Sequence, residues 1–210
     1  MAGFKTEGVI LKRRDFGEAD RILTVFTLLK GKISVVAKGI RRITSRRAGN
    51  VELLNRVILY LYQGKGMPIL TEAESIQTFP KLKADLTLST VAYHIIELVD
   101  KLTAESQESR ILYEHLVQVL KRLERKPRQI LIRAFEAKIL ANLGFISFEE
   151  AREFGGVGEI LKNLEVLSWD EIEKLTINEK QAMELEHILR YHLERVIEGA
   201  LKSRQFLKKI

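Results

Sequence analysis

No cysteine occurs among the 210 residues, which excludes disulfides, thiol catalysis, iron–sulfur clusters and every cysteine-based zinc site. Proline is nearly as scarce, at three, and with 46% hydrophobic and 30% charged residues the composition is that of a globular chain with little long disorder. Apolar runs fall short of the ~20 residues a membrane-spanning helix needs, and Met1-Ala2-Gly3-Phe4-Lys5 lacks the hydrophobic stretch of a secretory signal. A cytoplasmic protein with no membrane partner is expected. At ~100–200 residues per domain, the length suits one large domain or two ordinary ones, and stability must come from packing.

Charge is present in excess of one sign, at +7, and its location is informative. Met1 to Pro80 holds 14 basic and 7 acidic residues, whereas Lys81 to Ile210 holds 21 of each. All the net charge therefore lies in the first 80 residues. An excess confined to one segment sets up a lasting positive field and points to a polyanion or an anionic membrane surface as partner.

The character of the sequence changes at Phe79-Pro80. Before it, short runs rich in Val, Ile, Thr, Phe and Tyr alternate with glycine turns, giving five predicted strands: 6–12, 21–28, 32–38, 51–62 and 69–77. In the third, Ile33, Val35 and Ala37 alternate with Lys32, Ser34, Val36 and Lys38, which predicts one core face and one mostly wet face. Five short strands with one longer connection, Gly39 to Asn50, suit a closed oligonucleotide-binding (OB) type β-barrel, with an SH3-like barrel as the rival. After Pro80 the apolar spacing becomes helical. A first helix is predicted over 82–101 and a second over 111–123; a third is opened by Pro127 and closed by Gly144. Three more are predicted to start at the capping pairs Ser147/Glu150, Ser168/Glu171 and Asn178/Gln181. The fold class is α+β multidomain: an amino-terminal five-stranded OB-type barrel over 1–80 followed by an all-helical domain over 81–210.

The densest local feature is the run from Lys30 to Arg47, with seven cations and no acidic residue. Five of the seven, Lys38, Arg41, Arg42, Arg46 and Arg47, lie from the end of the third strand onward, where loop cations on a rigid barrel can converge on phosphates. The competing explanation is a solvated surface. In the fourth strand Arg56, Tyr60 and Tyr62 share a face by period 2, and flat side chains beside an arginine are a stacking platform for bases at ~1–3 kcal/mol each; packing over the barrel is the alternative. Catalytic signatures do not complete: the Gly64-Lys65-Gly66 and Gly155-Gly156-Val157-Gly158 runs lack phosphate-loop spacing, and His187 and His192 stand five apart rather than on one helix face. His94 and His115 are lone histidines in apolar helices. No cofactor, no metal and no enzymatic activity are expected.

The stretch from Gly8 to Arg21 (GVILKRRDFGEADR), with Gly31-Lys32-Ile33 and Val36-Ala37-Lys38-Gly39-Ile40-Arg41-Arg42, resembles the amino-terminal region of the bacterial RecO family of DNA repair proteins. Weaker similarity continues through Leu61-Tyr62-Gln63-Gly64, Leu70-Thr71-Glu72-Ala73-Glu74, Leu143-Gly144-Phe145, Leu189 to Leu193 and Leu201 to Leu207. The resemblance implies an OB barrel followed by a helical domain, binding single- and double-stranded DNA, annealing complementary strands and, with RecR, helping to load RecA onto strands coated by single-stranded-DNA-binding protein. It maps the family's basic residues onto Lys38, Arg41 and Arg42, with Arg13, Arg14 and Arg21 as nearby candidates. Many members carry a four-cysteine zinc module after the Leu-Gly-Phe segment; this chain departs from them there.

The family partner also suggests a role for the one dense basic cluster after Pro80, from Lys121 to Arg133. Arg122, Arg125 and Arg128, beside Leu120, Leu123 and Ile130, are candidates to clamp the acidic tail of single-stranded-DNA-binding protein, as groove-and-clamp peptide sites do. Cations placed favourably near a helix carboxyl end are the alternative. Three other functions compete with DNA annealing: a barrel-type RNA-binding factor of translation or ribosome assembly, a protein adaptor working through its helices, and a nuclease.

Overall fold

The computed structural model describes residues 2–147 and 154–197. The chain forms two compact units: Met1–Pro80 with Val99–Val117, and Lys81–Leu98 with Gln118–Ile210. The segment Val99–Val117, counted with the helices in the sequence reading, thus packs within the first unit.

The first unit is built on strands β1 (Ala2–Phe16), β2 (Asp20–Thr27), β3 (Gly31–Ala37), β4 (Arg56–Gln63) and β5 (Ile69–Gln77), closed into a barrel in the order β1-β2-β3-β5-β4. That order is the Greek-key arrangement of an OB fold, which decides against the SH3-like rival. Closure depends on β1, whose 15 residues pair with β4 in their first half and with β2 in their second. Gly8 sits where the two pairings overlap; a Cβ there would lie 2.5 Å from the Val25 side chain. The inward positions Ile10, Leu23, Val25, Ile33, Val35, Val57, Leu59, Leu61 and Leu70 fill the barrel.

Two expectations change. The fourth strand begins at Arg56, not Val51, because Gly49–Val51 forms a 3-10 turn and Leu54 adopts a φ of 70°. Leu54 donates its N–H to Ile10 O of β1, and the Asn55 amide donates to Gly49 O and Asn50 O, so these groups of the turn are satisfied without extending β4. The outer face of β3 is not wet: Lys32 and Val36 are both buried. Residues 100–113 cover it. The Lys32 ammonium donates to Asp100 O, Ser106 N–H donates to Lys32 O at 2.8 Å, and Ser34 donates to Glu105 at 3.0 Å. The Tyr113 ring packs 6.3 Å from Phe26, and its hydroxyl donates to Glu7 Oε1 at 2.7 Å, the same oxygen that Arg56 Nε holds at 2.6 Å. Burial, and then the bond to Glu7, push the Tyr113 hydroxyl far above its ordinary value and keep it a donor.

In the second unit, α1 (Pro80–Ala84) and α2 (Leu86–Leu102) replace the single helix predicted over 82–101. The break is Asp85, whose carboxylate accepts from Leu88 N–H and restarts the helix. Val99–Leu102 of α2, and Arg110–Val117 of α3 (Arg110–Arg125), are counted with the first unit. Next come α4 (Gln129–Asn142), α5 (Gly155–Val166), α6 (Trp169–Ile172) and α7 (Glu179–Ile197). Pro127 lies two residues before α4, and Gly144 follows it at a φ of 78°. The glycine run at 155–158 opens α5. Ser168/Glu171 forms a complete capping box, and Asn178 and Gln181 exchange backbone bonds in the same reciprocal way. The helix predicted to start at Ser147 lies outside the described residues beyond position 147.

Helix α4 is buried on nearly every side and carries two charges inward. Glu136, 2% exposed, is held by His94 Nε2 at 2.8 Å and Arg133 at 2.7 Å, and Arg133 reaches Glu186 of α7 at 3.0 Å. His94 is thus a buried structural partner. Lys138 donates to Glu165 O and Leu167 O, closing the end of α5.

Two stability predictions follow from these contacts. Gly31 has a φ of 61°, and a Cβ there would lie 1.9 Å from Gln107 O, whereas Gly17, at 58°, has open space. Gly17→Ala should lose ~1–2 kcal/mol, the cost of the left-handed conformation alone, and Gly31→Ala distinctly more; equal losses in urea unfolding would contradict the close approach of residue 107. In the second unit, burial pushes the Glu136 carboxyl up, but the Arg133 charge and the His94 and Arg133 bonds together hold it down at about 2. A depressed carboxylate stabilises fully above its ordinary value near 4.5 and loses that contribution as pH falls toward 2. Glu136→Gln should therefore flatten the stability profile across that window and lose ~3–5 kcal/mol at neutral pH, read by chemical denaturation from pH 7 to pH 2.

Candidate nucleic-acid interface

The loop from Lys38 to Ala48 is fixed at both ends and in the middle. Ile40 and Val51 enter the barrel core. Gly39, at a φ of 64°, donates to Asp20 Oδ1 at 2.7 Å, and Arg41 N–H donates to Ala19 O at 2.9 Å, tying the loop to the β1–β2 turn. Arg47 fastens the loop's far end, donating to Lys38 O at 2.8 Å, Leu70 O at 2.7 Å and Thr71 O at 3.3 Å.

These bonds sort the candidate cations. Arg41 and Arg21 share Asp15, at 3.5 and 2.8 Å, and Arg41 also donates to Glu18 O. The hydrogen bond from Arg21, with the charges of Arg41, Arg21 and Arg13, outweighs the opposing desolvation and keeps the Asp15 carboxyl below the usual carboxylate range. Arg13 pairs with Glu52 at 2.5 Å. Arg47 is spent on carbonyls. Lys38, Arg42 and Arg46 are exposed and make no side-chain hydrogen bond or ion pair among the described residues; the same holds for Arg14 on β1. Lys12, two residues before Arg14 on the same strand face, is an exposed cation that the sequence reading passed over. Its signal was available in the alternation of β1, hidden by the bulge between Ile10 and Lys12.

The proposed stacking face reads differently. Arg56 is held by Glu7 and Tyr113, and burial is outweighed by that carboxylate, which raises the guanidinium above its ordinary value. Tyr60 donates to Glu74 at 3.2 Å, pairs in register with Glu72, and carries Lys5 over its ring at 5.0 Å. Tyr62 is 39% exposed. Two carboxylates beside Tyr60 make this strand face a poorer neighbour for phosphates than the loop.

In the second unit, Arg122, Arg125 and Arg128 all turn toward the 170–175 segment. Arg122 bridges Asp170 at 2.7 Å and Glu173 at 3.0 Å, Arg125 meets Glu173 at 2.7 Å, and Arg128 donates to Glu173 O and Leu175 O. Burial pushes the Glu173 carboxyl up, but the two arginines outweigh it and hold it below its ordinary value. Arg122 and Arg128 thus fasten α6 to the rest of this unit; Arg125, 67% exposed, still faces outward.

The zinc module that many members of the resembled family carry needs four thiolates, and the chain has none. Among the described residues no three His, Asp or Glu side chains gather as metal ligands. The donor set does not fit that group. No described helix is long and apolar enough to cross a membrane.

Arg47→Ala should cost ~1–3 kcal/mol, because three carbonyls lose their donor, whereas Arg46→Ala should stay within ~0.5 kcal/mol of the parent. Urea unfolding of the two variants checks this, and equal stabilities would contradict the clamp.

Comparison with known proteins adds an independent line. A family model described as Recombination protein O N terminal matches residues 1–79, and one described as Recombination protein O C terminal matches residues 83–146. Relatives include the DNA repair protein RecO of Roseiflexus, 36% identical across 68% of this chain and 50% of the relative, and that of Desulforudis audaxviator, 37% identical across 69% and 58%. The protein of the same name from Moorella thermoacetica is 28% identical across 99% of this chain and 91% of its own. The chain thus spans about half the length of the Roseiflexus relative it matches.

Proposed function

The chain belongs to the RecO family, and from that premise we propose that it is a non-catalytic DNA-binding mediator of recombination repair. It anneals complementary single strands, binds single- and double-stranded DNA, and with RecR helps to load RecA onto strands coated by single-stranded-DNA-binding protein. It needs no cofactor and works in the cytoplasm at the nucleoid. One observation carries the reading: on a closed barrel, Arg14, Lys38, Arg42 and Arg46 lack an internal partner among the described residues, while Arg13, Arg21, Arg41 and Arg47 are paired. Phosphates are the partner that such a set of exposed cations suits, and neutralising them releases counterions. The acidic tail of single-stranded-DNA-binding protein docks on the helical part, with the exposed Lys121 and Lys126 as its cations; Arg122, Arg125 and Arg128 are held by Asp170, Glu173 and the carbonyls of Glu173 and Leu175.

The test is equilibrium binding of a labelled single-stranded oligonucleotide across a salt series, followed by annealing of complementary strands without ATP or metal. With about four phosphate contacts, log affinity should fall against log salt with a slope of about −2.8. Arg42→Glu with Arg46→Glu should weaken binding severely and leave the melting temperature unchanged. A folded double variant that binds and anneals like the parent would sink the assignment. Preference for matched RNA in direct competition would favour the RNA-binding factor instead.

A further inference from the structure

Ile43 stands at 103% relative exposure in the middle of the basic loop, burying nothing against the rest of the described protein. Single apolar side chains on a surface are ordinary; the setting of this one is not. Arg42 precedes it and Arg46 follows three residues later, both without an internal partner among the described residues. The loop beneath is held by Ile40 in the core, by the Arg47 clamp and by the bonds to Ala19 and Asp20. Ile43 is therefore presented at a fixed place among cations, and a β-branched side chain is itself stiff at χ1. At the end of β1, beside the turn that these bonds tie to the loop, Phe16 is 49% exposed and adds a second apolar surface.

We propose that Ile43 is the base-contacting residue of this loop. With Arg42 and Arg46 on phosphates, its side chain enters the stack of the bound strand and separates two neighbouring bases, as apolar wedges do in other nucleic-acid complexes. The assignment rests on the DNA-binding reading above and adds to it a contact that salt does not screen. A strand held in this way presents unstacked bases to an incoming complement.

The experiment uses the full chain and a single-stranded oligonucleotide carrying 2-aminopurine, whose fluorescence rises when it unstacks. Wild type should raise the signal on binding. Ile43→Ser, a surface change expected to leave the melting temperature unaltered, should remove that rise and weaken affinity about tenfold while keeping the parent's salt slope. Ile43→Leu should retain the rise. Unchanged affinity and fluorescence in Ile43→Ser would overturn the wedge, and if Arg42→Glu with Arg46→Glu still abolishes binding, only the wedge falls. If the arginine variant also binds normally, the DNA reading falls with it. Ile43-dependent binding to phosphatidylglycerol vesicles, with no fluorescence rise on DNA, would overturn the proposal in favour of a lipid surface.

Discussion

A guanidinium that already holds a carboxylate or two carbonyls has little left to offer a phosphate, and this competition governs what the barrel can bind. Glu7 takes Arg56, Asp15 takes Arg21 and part of Arg41, Glu52 takes Arg13, and three carbonyls take Arg47. Removing an arginine from such a pair uncovers the group it satisfied, so these residues answer to stability before they answer to any ligand. The cations left over are few, exposed and concentrated on one loop and one strand. In the proposed mediator they form the electrostatic part of DNA binding, and the paired residues hold the loop that presents them.

The same logic explains why the flat face of β2 and β3 is not where binding is sought. Lys32 and Phe26 point outward there, and both are covered by residues from the Val99–Val117 segment. The backbone of Gln107 lies against Gly31, where only a glycine leaves room, and Tyr113 completes the seal through Glu7. An OB barrel commonly uses this face together with its loops; here the loops remain.

Much of this was legible in the residues. Alternation and glycine turns gave five strands, four of them within a few residues of their observed sites or longer than predicted, and the capping pairs at Ser168 and Asn178 marked two helix starts. Leu54 misled because nothing in its own side chain announces a positive φ. Lys32 looked like a solvent-facing residue by period 2, and became buried only because a segment about 70 positions away in sequence supplies an acceptor. The roles of the arginines were illegible for the same reason. Whether Arg42 or Arg47 faces solvent depends on where Leu70 and Lys38 place their carbonyls, which is a matter of barrel closure and not of local sequence. Likewise Arg122 and Arg128 read as a free basic cluster until Asp170 and Glu173 fold against them.

The central claim, that ligand-binding cations are those the fold leaves unpaired, is open to a direct measurement. The native chain is treated with phenylglyoxal and with an acetylating reagent, alone and saturated with single-stranded DNA, and each arginine and lysine is followed by peptide mass. The account predicts that Arg14, Lys38, Arg42 and Arg46 react readily in the free protein and are protected by DNA, while Arg47 and Arg56 react slowly in both states. Protection centred on Arg56, or on Arg122 and Arg128, with Arg42 and Arg46 left reactive, would contradict it.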